Sequence, residues 1–285
     1  MPRVNRRKFI TPLIILAVIF AGVCSAIAND ESPVGKDKFK LSLGGFFPAI
    51  DSQIRIDSKT LGQGTEIDLE DDLGFNEDVS LGRIEGYWRF KPKHRFYLGY
   101  YGFDRDTLHT IDKEIEWDDK TFVIGAELYS EWTVNFIYGS YAYSFFQGEK
   151  WELSGSLGLY YLNTKLLVRG TARIEDGGEG EVSDEVEDEA SLDLPIPLFG
   201  LKAEYYFTPK WRALIGVSYF TISIDEWDGS VFDFSANLEY LFHKNFGIGL
   251  GYLYFESDVE RDREKRVSHL DYMYQGVQVY GIWRF

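Results

Sequence analysis

Apolar and polar residues alternate one by one along most of this chain. Phe232, Phe234, Ala236, Leu238, Tyr240 and Phe242 fall on one side of an extended backbone, with Asp233, Ser235, Asn237, Glu239 and Leu241 on the other. The next segment sets Phe246, Ile248, Leu250, Tyr252 and Tyr254 against Gly247, Gly249, Gly251, Leu253 and Phe255. Residues 151–161 and 199–207 repeat the pattern, with Trp151, Leu157, Leu159, Phe199 and Leu201 opposite Glu152, Ser154, Gly200, Lys202 and Glu204. A period of two belongs to β-strands, whose successive side chains point to opposite faces. No sustained apolar stripe at helical spacing accompanies it, so the pattern predicts an all-β fold.

Alternation does not say which face lies inside. A soluble sandwich or lipocalin-like barrel buries its apolar face; a membrane barrel turns that face to lipid and lines its lumen with polar, charged and small residues. Two features favour the second arrangement. Four short turns, at 91–94, 147–150, 208–210 and 243–245, are each bracketed by large aromatics: Trp88, Phe90 and Phe96; Phe145, Phe146 and Trp151; Phe207 and Trp211; Phe242 and Phe246. Rings gathered at one set of strand ends form a girdle suited to a lipid–water boundary. The connectors between these turns are long and charged, around 59–77, 112–120, 169–191 and 257–268, with a shorter one at 226–230. Short turns on one side and long loops on the other are the habit of membrane barrels.

The predicted strands are 38–57, 79–90, 95–111, 121–146, 151–168, 193–207, 211–225, 231–242, 246–257 and 269–285. This is an antiparallel up-and-down transmembrane β-barrel of ten strands, with eight or twelve also compatible with paired ends. The segment 121–146 is long enough for two crossings. A crossing needs only about 9–11 residues, so the longer strands should project beyond the lipid as a collar.

The last strand ends in Phe285, with Trp283, Val279 and Val277 on the same face and Gly281 where a bulkier residue is usual. It resembles the C-terminal signature of small bacterial outer-membrane β-barrels of Gram-negative cells. That resemblance implies an outer-membrane location, recognition of the Phe285 strand by the barrel-assembly machinery, contact with outer-membrane lipid and lipopolysaccharide, and a monomer. Thr65-Glu66-Ile67-Asp68-Leu69-Glu70-Asp71-Asp72-Leu73-Gly74 looks like a further family signature and implies no function by itself.

The N-terminus reads as an address. Arg3, Arg6, Arg7 and Lys8 precede an apolar run from Leu13 to Cys24 and the small-residue exit Ala26-Ile27-Ala28. These are the parts of a secretory signal peptide, giving a division into residues 1–28 and a barrel over 29–285. An uncleaved anchor needs about 20 apolar residues, and Thr11, Pro12 and Ser25 interrupt the run. Lipid attachment at Cys24 is disfavoured by Val23 before it. Arg6-Arg7 resembles a twin-arginine signal, but the strongly apolar core fits export of an unfolded chain.

Composition narrows the chemistry. The formal charge is −16, against a phosphate-backbone partner. One cysteine excludes a disulfide framework or thiolate zinc cluster. Parity places Lys40, Arg83, Glu85, Arg89, Glu152, Lys202, Glu204, Arg212, Asp233, Glu239 and Arg284 in the lumen. Buried charges survive by pairing, and a barrel this narrow is filled by side chains, so a plug of ion pairs is expected. A narrow selective pore is the rival, for which Gly247, Gly249 and Gly251 either leave space or admit a neighbour such as Tyr206.

Two acidic runs remain. Glu175–Glu189 holds nine acids and Glu66–Asp78 seven, with no base in either. Self-repelling solvated loops are expected; Ca²⁺ or Mg²⁺ bridging to lipid phosphate is the alternative, and Leu73 and Phe75 hint that the first run packs. Of the histidines, His94 and His243 fall in the short turns, and His109 and His269 toward the outer side. Ser268-His269 with Asp271, and His109 with Asp106, are the candidate catalytic groupings. Adjacent strand residues face opposite ways, so His269 cannot activate Ser268. The strand number and collar resemble the omptin proteases, but their paired-acid and Asp-His residues find no match here. No catalytic, cofactor or metal site is assigned. The expected role is structural or surface-interacting through acidic outer loops, with a small-solute channel or a rim-site hydrolase as alternatives.

Overall fold

The computed structural model describes residues 33–58, 65–117, 120–174, 181–224, 226–262 and 266–285. The signal segment 1–28 lies outside them.

Ten antiparallel strands form one closed barrel: β1 (Phe39–Ser58), β2 (Leu81–Lys91), β3 (His94–Thr110), β4 (Glu127–Gln147), β5 (Trp151–Ile174), β6 (Glu181–Tyr206), β7 (Trp211–Ile224), β8 (Trp227–Leu241), β9 (Phe246–Asp262) and β10 (Arg266–Arg284). Each pairs with its neighbours in chain order, and β10 closes the ring onto β1 from Lys40↔Arg284 to Ser58↔Arg266. The N–H groups of Lys38 and Phe39 donate to the Phe285 carbonyl at 2.7 and 2.9 Å. The predicted 121–146 is one crossing, entered from a turn whose Gly125 has φ +80°.

The outer face near the short turns is apolar. Leu43, Phe47, Leu98, Leu157, Leu201, Leu250 and Val279 are each more than half exposed, and Trp88, Phe90, Phe96, Phe145, Trp151, Phe242 and Phe246 ring the turn end. On the same strands Glu152 and Glu239 are buried inside. This is the expected orientation, and it holds for the turn-end half.

The other half corrects the expectation. Along β9 the outward residues change from Ile248 and Leu250 to Glu256 and Asp258, while the inward ones change from glycine to Leu253, Phe255 and Val259. Parity is unbroken; the chemistry of the two faces exchanges. The lipid-facing band is only about 25 Å tall, whereas the 24 residues of β5 reach about 60 Å along a tilted axis. The excess stands in water and packs like a soluble barrel, with Phe46, Phe103, Trp132, Phe136, Phe255 and Tyr272 in its core.

All five expected connectors are structured at least in part: β9 and β10 continue through 257–262 and 266–268, β8 already begins at Trp227, and the other three are ordered in part as well. β5 and β6 continue as a hairpin through much of 169–191, so Glu181–Glu189 is strand, with Lys165 paired to Glu189 at 2.7 Å; Glu175, Asp176 and Glu179 lie outside the described residues. Residues 115–117 and 120–122 form a short hairpin with Ile115, Trp117 and Phe122 buried. In 65–80, Ile67–Asp68 pairs with Gln53–Ile54, and Leu69, Leu73 and Phe75 are buried in the mouth. The first acidic run is therefore a lid, because its apolar residues recur between the acids and its carboxylates bond inward.

Candidate functional site

The turn end of the lumen holds a lattice of buried charges. Arg89 on β2 grips Glu152 on β5 with two bonds, at 2.7 and 2.9 Å. Arg95 on β3 bonds Glu204 on β6 and lies 3.4 Å from Glu152. Arg212 on β7 reaches Glu239 at 2.6 Å, Glu204 at 3.1 Å and Asp37 at 3.4 Å. Lys40 on β1 also bonds Glu239, the Tyr280 hydroxyl donates to that carboxylate at 3.1 Å, and the Tyr87 hydroxyl donates to Asp37. Four cations (Lys40, Arg89, Arg95, Arg212) thus face four carboxylates (Asp37, Glu152, Glu204, Glu239). Bidentate guanidinium pairing and neutrality within one layer are what make such burial tolerable.

Above the lattice lies a polar chamber of about 100 Å³ lined by Arg83, Glu85, Tyr138, Lys202, Asp233 and Asn237, among others. Arg83 pairs with Glu85 at 3.0 Å, Tyr138 donates to Glu85 at 2.7 Å, and the Lys202 ammonium sits 4.1 Å from the Tyr97 ring centre. This space suits a few waters, each occupying about 30 Å³. Over the chamber the aromatic core closes the barrel: Tyr101 stacks on Phe136 at 4.8 Å, Phe255 on Tyr274 at 5.1 Å, and the Tyr101 and Tyr274 hydroxyls are 2.6 Å apart.

The glycine question resolves toward filling. A Cβ on Gly249 would fall 2.2 Å from the Tyr280 ring, and one on Gly251 would strike Asn237. The neighbour admitted is Tyr280, where Tyr206 was expected. Most inward charges named from parity pair with one another; Lys202 and Asp233 line the chamber without a direct ion pair among the described residues, and Arg284 caps the rim by donating to the Pro209 carbonyl at 3.3 Å. Arg95 was missed, although Phe96, Leu98 and Tyr100 facing out put it inward. Asp37 precedes β1 and carries no strand signal.

The lid is tied down by its acids. Asp68 accepts from the N–H groups of Glu70 and Asp71 at 3.1 and 2.8 Å, and Arg105 on β3 pairs with Glu70 at 2.8 Å while donating to the Asn76 carbonyl at 2.7 Å. Burial raises the Glu70 carboxyl to about 7 against the opposing pull of Arg105.

The histidine groupings separate, except that Asp271 stays on the same outer face of β10 as His269. On β3 the odd positions face in, so His109 lies against lid residue Gly74 while Asp106 is exposed on the outer face. On β10 the even positions face in, so Ser268 and His269 diverge as expected. His269 instead meets residues the sequence did not single out: Nε2 is 3.1 Å from Asp57 and 3.0 Å from Arg55, and Nδ1 is 3.3 Å from Glu260. His94 and His243 sit at the short turns among aromatic rings.

No family model matches the chain and no curated protein matches its sequence. Among solved structures, the outer membrane protease OmpT from Escherichia coli superposes with a TM-score of 0.55 at 7% identity, covering 92% of this chain and 100% of that one. The Pseudomonas putida toluene transporter TodX gives 0.35 at 9% identity over 90% and 92% of the two chains, and the Yersinia pestis attachment invasion locus protein Ail gives 0.25 at 11% over 87% and 99%. At such identities the OmpT likeness concerns fold alone. Together with the apolar belt, it makes this chain an integral outer-membrane β-barrel in fold and setting.

Proposed function

We propose that the chain acts as a non-conducting, non-enzymatic outer-membrane barrel whose working surface is the rigid collar. The observation that supports this reading most is the neutral lattice built around Arg212, Glu204 and Glu239, backed by the aromatic core packed across the barrel beyond it. In this reading the Phe285 strand engages the assembly machinery, the belt and girdle meet lipid and lipopolysaccharide, and the barrel works as a monomer. Divalent cations are partners of the exposed collar acids. Planar-bilayer recording tests it: insertion should give no resolved current steps, and discrete steps would favour the channel.

A rim hydrolase is the second reading. The motivating observation is His269 held between Asp57 and Glu260 on the outer collar face, an imidazole oriented by carboxylates, in a fold shared with a protein named as a protease. Its test is His269→Ala and His109→Ala assayed on surface proteolysis and lipid A modification. Unchanged activity in both assays removes this reading; a loss in His269→Ala alone supports it.

A further inference from the structure

The barrel wall has a seam. β6 and β7 pair from Arg212↔Tyr206 to Tyr219↔Phe199 and no further, although both strands continue. Beyond that point β6 bonds only to β5, and β7 only to β8. The cause is written in β6. The Tyr206 N–H points to the β5 side, donating to the Lys150 carbonyl at 2.9 Å, and the Phe207 N–H points to the β7 side, donating to the Trp211 carbonyl at 3.0 Å. The β5–β6 register runs without a shift from Tyr205 to Val186. Odd-numbered N–H groups of β6 therefore face β7. Pro195 and Pro197 occupy two of those positions and have no N–H to give. The next two rungs of the ladder lack their donors, and the strands separate where a sheet tolerates proline, at an unpaired edge.

Behind the seam is a cavity of about 250 Å³ lined by Leu194, Ile196, Phe220, Ile222, Trp227 and Val231, almost wholly apolar. It lies at the upper edge of the belt. Phe199 and Tyr219, just below, are exposed to lipid. Just above, Tyr161 and Asn163 both donate to outward-facing Asp193 at 2.8 Å, where the outer surface turns polar. An engineered apolar cavity of about 150 Å³ stays dry and binds benzene, so this one has room for a somewhat larger molecule. It is also too apolar to hold a charged or strongly hydrogen-bonding ligand. A lipid tail runs from the headgroup level down into the bilayer, away from this opening, so an untethered molecule fits the position better.

We propose that this cavity is a binding site for a small uncharged hydrocarbon, taken from the outer leaflet through the β6–β7 opening that Pro195 and Pro197 maintain. The site is independent of the closed lumen below it.

The test uses the full barrel in phosphatidylethanolamine–phosphatidylglycerol vesicles and a free photoactivatable probe, 3-trifluoromethyl-3-phenyldiazirine, with labelled residues mapped by mass spectrometry. A parallel arm carries the diazirine on a phospholipid acyl chain. The free probe should label Ile222 and Trp227 saturably, and Ile222→Trp, which fills the space, should reduce that labelling roughly fivefold or more. The lipid arm should label Phe199, Leu201 and Tyr219 without reaching the cavity. Pro195→Val with Pro197→Val, at two positions that themselves border the cavity, restores both donors and should slow labelling of Ile222 and Trp227. Non-saturable labelling of Ile222 no stronger than that of Leu201 overturns the site. Labelling of the lining by the lipid arm overturns the free hydrocarbon as occupant, and unchanged kinetics in the folded proline variant overturns the entry route. Heat-dependent gel mobility confirms that each variant has folded.

Discussion

Single residues in this barrel are judged by whether their charge has a partner. Arg212 is buried, yet it touches Glu204, Glu239 and Asp37, so its desolvation is offset by charge-assisted bonds. Glu70 is the contrasting case. Its folded carboxyl titrates near 7 against an ordinary value of 4.5 because burial outweighs Arg105. A raised acid pKa means that the folded state holds the proton more tightly than the unfolded state. Its contribution to stability is therefore complete below about 4.5 and is lost as pH rises through about 7. Denaturant unfolding at pH 5 and pH 8 should show the wild-type barrel losing stability over this window, by an amount on the order of 2 kcal/mol from this group. In Glu70→Gln that part of the difference should vanish. An equal pH difference in both proteins would mean that Glu70 is not the group responsible.

Whole elements follow parity, and parity was legible. All ten strands were placed from alternation and turn residues, and the aromatic brackets identified the end at which the chain reverses tightly. What parity could not supply was length. Glu181–Glu189 is strand because it pairs with β5 across Lys165 and Arg169, a non-local pairing that a dense acidic run conceals. The lid was half legible: Leu73 and Phe75 gave the hint, but the barrel mouth that receives them exists only once the strands have closed. Lattice membership was read for all but Arg95 and Asp37; its pairings needed the register between distant strands. The β9–β10 interlock illustrates that dependence, since Gly249 is small because Tyr280 fills its place. Gly249→Ala should therefore cost about 1–3 kcal/mol through overlap. In a Tyr280→Ala background the same change should cost less than half as much, measured as a double-mutant cycle of unfolding midpoints. Equal costs in both backgrounds would show that the ring does not own that space.

At the scale of the molecule, one alternation, shifted only at bulges near Arg89, Ser144 and Gly170 among the described residues, serves two solvents. Near the turns the apolar face meets lipid and the charges neutralise one another inside; in the collar the same strands put acids in water and rings in the core. Sequence alternation reported both halves as one pattern, and the exchange of faces shows only when each strand is followed past the belt. The sole cysteine of the chain, Cys24, precedes the barrel, so single cysteines along β9 report cleanly. The most direct measurement is the reactivity of cysteines at positions 248, 250, 253, 255, 256 and 258 toward a membrane-impermeant maleimide in intact outer membranes. Cysteines replacing Glu256 and Asp258 should react, while those replacing Ile248, Leu250, Leu253 and Phe255 stay protected, the first pair by lipid and the second by the core. Rapid labelling at 253 and 255 with protection at 256 and 258 would contradict the exchange of faces on which the account stands.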